Sequence, residues 1–193
     1  MAIRRCGLVV RYSAGFNPHE LIFFAPPLPI GTGSECEYFT VDSPEEPQLV
    51  MDKLNGSLPP GIRILKCVSR LENPNFAAVS FAAEYEIALE NAVNLPNLTK
   101  ILGLERFEIS FEQKGETVTK DIRAQIYNLS GQSDKYLFTL ACGNPNLRAD
   151  RLMHHLLKFV GAETAFFTVT KKRLFDKSFK NIDALYFDET NKG

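Results

Sequence analysis

Apolar residues recur at helical spacing in two stretches of the chain. Between residues 149 and 160 they fall at i, i+3, i+4, i+7 and i+11, which predicts a helix with one buried face. A second apolar stripe, over residues 50–58, predicts another amphipathic helix. This helix is predicted to begin with Ser43 as its N-cap and Pro44 at its first helical position, and Glu46 would complete a capping box with Ser43.

Strand patterns occupy most of the remaining chain. A short helix is predicted over 95–102, and a hairpin turn is predicted at Lys114-Gly115. The strand predicted at 35–41 has apolar groups on both faces, which predicts a central position in its sheet. The predicted strands cover residues 21–25, 35–41, 62–68, 81–89, 107–111, 117–127, 135–142 and 164–174.

The order of these elements predicts the fold. It reads (β)αββαβ followed by βαβββαβ, which indicates an α+β protein built from two ferredoxin-like βαββαβ-type halves with mostly antiparallel sheets. The first half lacks its N-terminal strand. A turn-rich break at 72–76 predicts an N-terminal half over 1–72 and a C-terminal half over 77–180, followed by a tail at 181–193.

Composition narrows the class of protein. With 193 residues, 45% of them hydrophobic, and a net charge of -1, the chain is long enough for a folded core and shows no overall excess of either charge. No apolar run reaches the roughly 18 residues of a membrane helix, and no signal peptide is present, so we expect a cytoplasmic protein without membrane contact. Four scattered cysteines predict neither a metal site nor a cofactor.

Catalytic motifs are missing from the sequence. No nucleophile elbow, zinc-protease helix, phosphate loop or dinucleotide fingerprint occurs. Glu35 and Glu37 are spaced like an acid/base pair, but a pair of solvated surface carboxylates is the simpler explanation. We therefore expect no catalytic residue, and keep an enzyme built on His19 and the two glutamates as the lesser alternative.

The loop at residues 13–19 has two interpretations. In one it is a tight connection whose Phe16 ring fills the core. In the other it is a binding loop, in which Asn17 and His19 offer hydrogen bonds and Phe16 a stacking face. The candidate binding-loop residues are Ser13, Gly15, Phe16, Asn17, Pro18, His19, Glu35, Glu37 and Tyr38.

The region from residue 148 to 180 is basic, with a net charge of +5. Such a region, with aromatic residues nearby, suits RNA phosphates, although a solvated face is the simpler alternative. Outside this region, Asp121 and Arg123 lie on one face of a predicted strand and could contact an anionic ligand, with a local ion pair or an edge-protecting charge as the simpler explanation. The candidate anion- or RNA-binding residues are Asp121, Arg123, Arg151, His154, Lys158, Lys171, Lys172 and Arg173.

Three motifs carry a family resemblance: Ser13-Ala14-Gly15-Phe16-Asn17-Pro18-His19, then Pro27-Leu28-Pro29-Ile30-Gly31, then Glu35-Cys36-Glu37-Tyr38. In this order they resemble the radical-SAM-linked protein family of bacteria, whose function is unknown. Further similarity at Leu58-Pro59-Pro60-Gly61, Ala83-Glu84-Tyr85 and Lys120-Asp121-Ile122-Arg123 extends the match over nearly the whole chain. Glu20 stands where that family usually has proline.

The resemblance implies a companion of a radical-SAM enzyme, with RNA as a second partner because family genes often lie near ribonuclease G. The CxxxCxxC cluster motif of the enzyme itself does not occur in this chain. We therefore expect a non-catalytic accessory module that binds the enzyme and RNA. The alternative is a protein-interaction partner that accepts a strand at an open sheet edge.

Overall fold

The computed structural model describes residues 2–93, 95, 98–113 and 115–188 of the chain. Its helices are α1 (Ala2–Arg5), α2 (Pro47–Asn55), α3 (Phe76–Val79), α4 (Leu98–Leu102), α5 (Ala149–Phe159) and α6 (Ile182–Tyr186). Its strands are β1 (Ile22–Phe24), β2 (Thr32–Ser34), β3 (Phe39–Val41), β4 (Ala82–Leu89), β5 (Glu108–Gln113), β6 (Glu116–Asp121), β7 (Ile126–Gln132), β8 (Lys135–Ala141) and β9 (Phe167–Phe175). The predicted α+β class is confirmed.

The chain forms two compact units. Unit 1 comprises the described residues of Met1–Ala25, Tyr38–Ala77 and Asp183–Gly193, and unit 2 comprises those of Pro26–Glu37 and Ala78–Ile182. The chain thus passes from unit 1 to unit 2 and back before its midpoint. Because compactness alone does not show independent folding, the assignment of domains to 1–72 and 77–180 stays a prediction.

Unit 2 is built on a five-stranded sheet in the order β2-β9-β4-β8-β7. The pairs β4–β8, β4–β9 and β7–β8 are antiparallel, so β4 runs parallel to β7 with β8 between them, and β8 runs parallel to β9 with β4 between them. Two interleaved split βαβ units of this kind are the ferredoxin-like arrangement. β2 adds a parallel edge strand next to β9, and β5 and β6 form a separate antiparallel hairpin.

α5 lies beside β9 of the sheet of unit 2, where the ring centroids of His154 and Phe167 are 4.8 Å apart. Alternate residues of β4 are buried, as are Phe138 and Leu140 of β8, because successive side chains of a strand point to opposite faces. Leu152, Met153 and Leu157 of α5 are fully buried, which confirms the predicted apolar helix face. α5 is therefore held by its inner face and leaves its outer face to solvent.

Unit 1 has a smaller core. Val50 and Leu54 of α2 pack with Leu8, and partly buried apolar residues surround them. β1 and β3 form a two-stranded antiparallel sheet. The apolar stripe predicted for the helix over 50–58 is confirmed for Val50 and Leu54.

The predicted capping of α2 is wrong. Ser43 Oγ donates to the Val9 carbonyl at 2.7 Å and accepts the Glu45 N–H at 3.2 Å, so it makes a turn before the helix. The helix begins instead at Pro47, after an N-cap residue without a side-chain capping bond. Proline suits this first position because its missing N–H would have no helical partner there.

Two predicted strands are shorter or absent. Residues 62–68 form no regular strand, and the Asn55 side chain bonds the backbone N–H and carbonyl of Ile64, a role that a neighbouring strand would otherwise fill. Of the predicted strand 35–41, only the part from Phe39 on forms β3, which has β1 as its strand neighbour. The central position predicted for it is therefore wrong.

The strand predicted over 117–127 is two strands. Asp121 Oδ1 accepts the backbone N–H groups of Phe107 and Arg123, which ends β6, and a single 3-10 turn separates β6 from β7.

Lys114 of the predicted hairpin turn and residues 189–193 of the predicted tail lie outside the described residues, as do residues 94, 96 and 97. Within the described chain, no helix has the length and apolar character needed to span a bilayer.

Candidate functional site

The loop between Ser13 and His19 is closed by hydrogen bonds between its ends. Ser13 Oγ lies 2.8 Å from His19 Nδ1 and accepts the His19 N–H at 3.1 Å, and the Ser13 N–H donates to the His19 carbonyl at 2.9 Å. Phe16 is fully exposed, so the interpretation that places its ring in the core is wrong. Gly15, Asn17 and Pro18 are exposed beside it. The loop is held at its base and presents an aromatic ring.

Glu35 and Glu37 are paired with successive lysines of β9. Glu35 Oε1 lies 2.5 Å from Lys172 Nζ, and Glu37 Oε1 lies 2.5 Å from Lys171 Nζ. Lys172 is half-buried, whereas Lys171 is 1% exposed. Each carboxylate is therefore committed to its own cation, and the two do not form the acid/base pair that their spacing suggested.

The candidate binding-loop residues fall in both units. Ser13 to His19 and Tyr38 belong to unit 1, whereas Glu35 and Glu37 belong to unit 2. Tyr38 is buried, with its ring centroid 5.4 Å from that of Phe76. The tyrosine of the predicted motif is therefore a core residue.

Lys171 lies in a buried cluster with two thiols and a phenol. Burial raises the pKa of Cys36 to about 12, against the opposing charge of Lys171. Burial also raises the pKa of Cys142 and that of Tyr85. Because a thiolate and not a thiol is the nucleophile, these cysteines are unreactive at neutral pH. Lys171, predicted to bind an anion from solvent, is enclosed instead.

Asp121 and Arg123 bond to the protein backbone. Asp121 accepts two backbone N–H groups, and these hydrogen bonds lower its pKa. The Arg123 guanidinium donates to the carbonyls of Ile126, at 2.9 Å, and of Leu102. Both side chains thus fasten the turn between β6 and β7, and the second carboxylate oxygen of Asp121 lies 3.6 Å from Arg106 Nε.

Arg173 of β9 also has a carboxylate neighbour. Its Nε lies 3.6 Å from Glu84 Oε1 on β4. With Lys171 and Lys172 paired to Glu37 and Glu35, all three predicted cations of β9 are matched by acidic side chains of unit 2.

The outer face of α5 carries cations next to aromatic rings. The Arg151 guanidinium lies 4.4 Å from the centroid of Phe111, and Lys120 Nζ lies 5.7 Å from the same centroid. His154 contacts the Phe167 ring edge to face, with centroids 4.8 Å apart. We call Phe111, Lys120, Arg151, His154 and Lys158 the α5 ridge.

The α5 ridge keeps its charges unmatched. Within the described part of the chain, neither Arg151 nor Lys158 forms an ion pair, and both are exposed. Stacking a guanidinium on Phe111 orients it without neutralising it. Of the eight candidate anion-binding residues, the structure thus leaves Arg151, His154 and Lys158 together on one accessible face.

Two concave sites flank α5. The Asp150 pocket, of about 260 Å³, is lined by Ile30, Gly31, Thr32, Asp150, His154, Ala165, Phe166, Phe167 and Val169. The His155 groove, of about 400 Å³, is mostly apolar and is lined by Leu95, Leu98, Lys100, Ile101, Leu104, Phe107, His155, Leu156, Phe159 and Val160. The Asp150 pocket combines a carboxylate, an imidazole, a hydroxyl and aromatic rings in one small volume.

The charge state of these sites follows from their surroundings. Burial by itself raises the pKa of Asp150. The hydrogen bonds and positive charge of Arg148, together with a hydrogen bond from the Arg151 N–H, have the larger opposite effect, so the pKa of Asp150 lies below its ordinary value. The carboxylate is therefore ionised at neutral pH. Burial and the charge of Lys158 lower the pKa of His155, which keeps its imidazole neutral.

Sequence reasoning missed Phe111, Lys120 and Asp150 as parts of this surface. Phe111 alternates with polar residues in β5, which predicted a half-buried strand but no neighbour for it. Asp150 lies in the first turn of α5, where an acidic residue is ordinary for a helix. Only the packing of the β5–β6 hairpin beside α5 brings Phe111 and Lys120 to Arg151, and only the packing of β2 and β9 beside α5 makes Asp150 part of a pocket.

In the described part of the chain, no cluster of three His, Cys, Asp or Glu residues is arranged to hold a metal ion.

Comparison with known proteins gives one match. No curated protein and no solved structure matches the chain. A sequence model described as an uncharacterised protein conserved in bacteria, DUF2344, matches residues 1–150. This match covers well over half of the chain, and the chain therefore belongs to the DUF2344 family of uncharacterised bacterial proteins.

Proposed function

We propose that this protein is a non-catalytic accessory module that holds single-stranded RNA on the α5 ridge for a radical-SAM enzyme. The observation that carries the RNA part is the juxtaposition of Arg151 and Lys120 on one ring, Phe111, beside the unpaired Lys158. Proteins that bind single strands combine cations along the backbone path with aromatic rings for the bases. Phe166, 74% exposed, supplies such a ring at the Asp150 pocket.

The non-catalytic part of the proposal has its own support. Glu35 and Glu37, the pair most suited to acid/base chemistry, each hold a lysine. The thiols of Cys36 and Cys142 are buried and have raised pKa values. These groups serve the packing of unit 2.

The RNA test measures binding of a fluorescent single-stranded RNA by anisotropy over a range of salt concentrations. Each phosphate contact to a single strand contributes a slope of roughly -0.7 to the plot of log affinity against log salt. Reversing the charge at Arg151 and Lys158 (R151E and K158E together) should remove two such contacts. We expect the slope to become shallower by roughly 1.4 and the affinity at low salt to fall at least about tenfold.

The matched control reverses Lys135 and Lys177, which are exposed and belong to the same unit. The double variant K135E/K177E changes the net charge by the same amount and should bind RNA like the wild type. If both double variants lost RNA affinity equally, the effect would come from the overall charge of the protein and not from the α5 ridge. Binding that ignores salt, or no binding of RNA, would contradict the proposal.

The radical-SAM part is supported by the motifs at residues 13–19, 27–31 and 35–38. The exposed Phe16, at the tip of a loop closed by Ser13 and His19, is a suitable anchor for a protein partner. Co-production of this chain with a radical-SAM enzyme from the same genome should give a complex on size-exclusion chromatography. Phe16→Ala should abolish it, whereas failure of the wild type to form a complex would refute this part.

A second candidate function is protein interaction through residues 62–70 of unit 1. This segment forms no regular strand, and Ile62, Leu65 and Val68 are exposed. The exposed apolar side chains of this segment suit contact with a partner protein. The double variant L65K/V68K should then lose the partner, while Leu49→Lys, an exposed leucine of α2, should retain it.

A further inference from the structure

The Asp150 pocket has the size of a site for one ring system. Its volume of about 260 Å³ lies below the 300–1,000 Å³ typical of pockets for drug-sized ligands. Phe166 forms part of the rim and is 74% exposed, so its ring has a free surface for stacking. A planar heterocycle is the ligand that such a rim accommodates.

The polar groups of the pocket are oriented by their neighbours. Arg148 holds Asp150 with two hydrogen bonds, Nε to Oδ1 at 3.0 Å and Nη2 to Oδ2 at 2.5 Å. Each carboxylate oxygen has two lone pairs, so the side chain keeps acceptor capacity towards the pocket. His154 is held against Phe167 on the adjoining wall.

The remaining wall comes from the Pro-Leu-Pro-x-Gly motif. Ile30, fully exposed, and Gly31, with φ +85°, lead into Thr32 at the start of β2. Glycine adopts this left-handed conformation without strain, which lets the chain turn into the edge strand beside β9. The motif thus supplies one wall of the pocket. The α5 ridge contains no residue of this motif.

We propose that the Asp150 pocket binds one nucleobase of the RNA and selects a base with an exocyclic amino group, cytosine over uracil. This inference rests on the proposed RNA-binding function and adds sequence preference to it. An ionised carboxylate only accepts hydrogen bonds. Cytosine offers it the N4 amino group as a donor, whereas uracil presents an oxygen at the same position.

The test compares short cytidylate and uridylate homopolymers of equal length at neutral pH, by fluorescence anisotropy on the whole chain. The two strands have the same backbone and ring size, so their affinity ratio reports only the pairing edge of the base, where cytosine has an amino group beside a bare ring nitrogen and uracil has an oxygen beside an N–H. We expect the wild type to bind cytidylate about tenfold more tightly than uridylate. Asp150→Asn should bring that ratio close to one, because an amide also offers a donor to the uracil oxygen.

Two phenylalanines supply a matched pair of stacking variants. Phe166→Ala should weaken both homopolymers by about tenfold, because it removes the ring on which the base stacks. Phe159→Ala, at an equally exposed ring that lines the other site, should leave the affinity for both homopolymers unchanged. Neither ring is needed for packing, so both variants should keep the wild-type thermal midpoint.

The outcomes separate the two proposals. If the wild type binds both homopolymers equally, or if the preference for cytidylate survives in Asp150→Asn, the nucleobase pocket is overturned while RNA binding stands. If neither homopolymer binds, RNA binding itself fails. A preference that is lost with Asp150→Asn, together with weaker binding by Phe166→Ala, supports the pocket.

Discussion

At the residue scale, the buried Lys171 is the least ordinary side chain of the protein. Its ammonium group is enclosed in unit 2 and is neutralised by Glu37 at 2.5 Å. Burying a charge costs free energy that a pair recovers only with good geometry, so such pairs contribute less to stability than their distances suggest. The Glu37 side chain is 43% exposed, which lets water solvate this end of the pair.

Replacing Lys171 should separate packing from charge. Lys171→Ala leaves a cavity and should lower the free energy of unfolding by about 2–4 kcal/mol. Lys171→Met fills most of that volume without a charge and should stay within about 1 kcal/mol of the wild type. Chemical denaturation measures both values. Equal loss in the two variants would show that the ion pair itself is required.

His155 should make stability depend on pH. Burial and Lys158 lower its pKa in the folded state, so the unfolded chain takes up the proton more readily. Stability should therefore decline as the pH falls below about 6.5, the ordinary value for histidine, and this decline should end below the folded-state pKa.

The measurement is an NMR titration of the His155 ring together with thermal unfolding across that pH window. Lys158→Gln removes one of the two causes and should raise the His155 midpoint part of the way. His155→Gln should flatten the pH dependence of the thermal midpoint between pH 7 and the folded-state value. A His155 midpoint above the ordinary value would contradict this account.

At the element scale, the β7–β8 hairpin depends on one glycine. Gly131 has φ +118°, and a Cβ added there would meet the Lys135 carbonyl oxygen at 2.3 Å and the Tyr136 Cα at 2.6 Å. Both are backbone atoms, so no flexible side chain can move aside. The close pairing of Gly131 with Tyr136, whose side chain is fully buried, thus requires glycine.

Gly131→Ala should lower the free energy of unfolding by more than about 2 kcal/mol. Gly103→Ala is the control, because a Cβ there meets one carbonyl oxygen at an ordinary 3.6 Å and the backbone has no positive φ. We expect that variant to stay within about 0.5 kcal/mol of the wild type. Similar values for the two variants in urea denaturation would refute the steric argument.

At the scale of the whole molecule, the two units differ in how many strand-to-strand hydrogen bonds their backbones make. In unit 2, β4 is hydrogen-bonded to β8 on one side and β9 on the other over most of its length. In unit 1, the sheet has two strands of three residues each. A strand bonded on both sides and buried on one face opens only with the whole unit.

Native-state hydrogen exchange should reproduce this difference. The slowest amides should lie in β4, β8 and β9, and the amides of β1 and β3 should exchange faster. Mass spectrometry of peptic fragments resolves the two sets. Comparable protection in both units would indicate that the chain opens as a single cooperative body.

Periodicity alone was sufficient for the elements that face a single core. The stripe of α5 and the strand at β4 were predicted because one buried face imposes a spacing of 3.6 or of 2. The same reasoning failed at residues 62–68, where the exposed apolar residues recur every three positions, and at Ser43, whose hydroxyl bonds to Val9 far along the chain.

The sequence by itself determined the α+β class and the major elements of unit 2, because these depend on local chemistry and spacing. Tertiary structure alone decided which charges are accessible. Lys171 and Arg151 are alike in sequence terms, but a sheet face encloses Lys171 while the outer side of a helix exposes Arg151. Accessibility depends on residues distant in the chain, and a linear pattern does not contain that information.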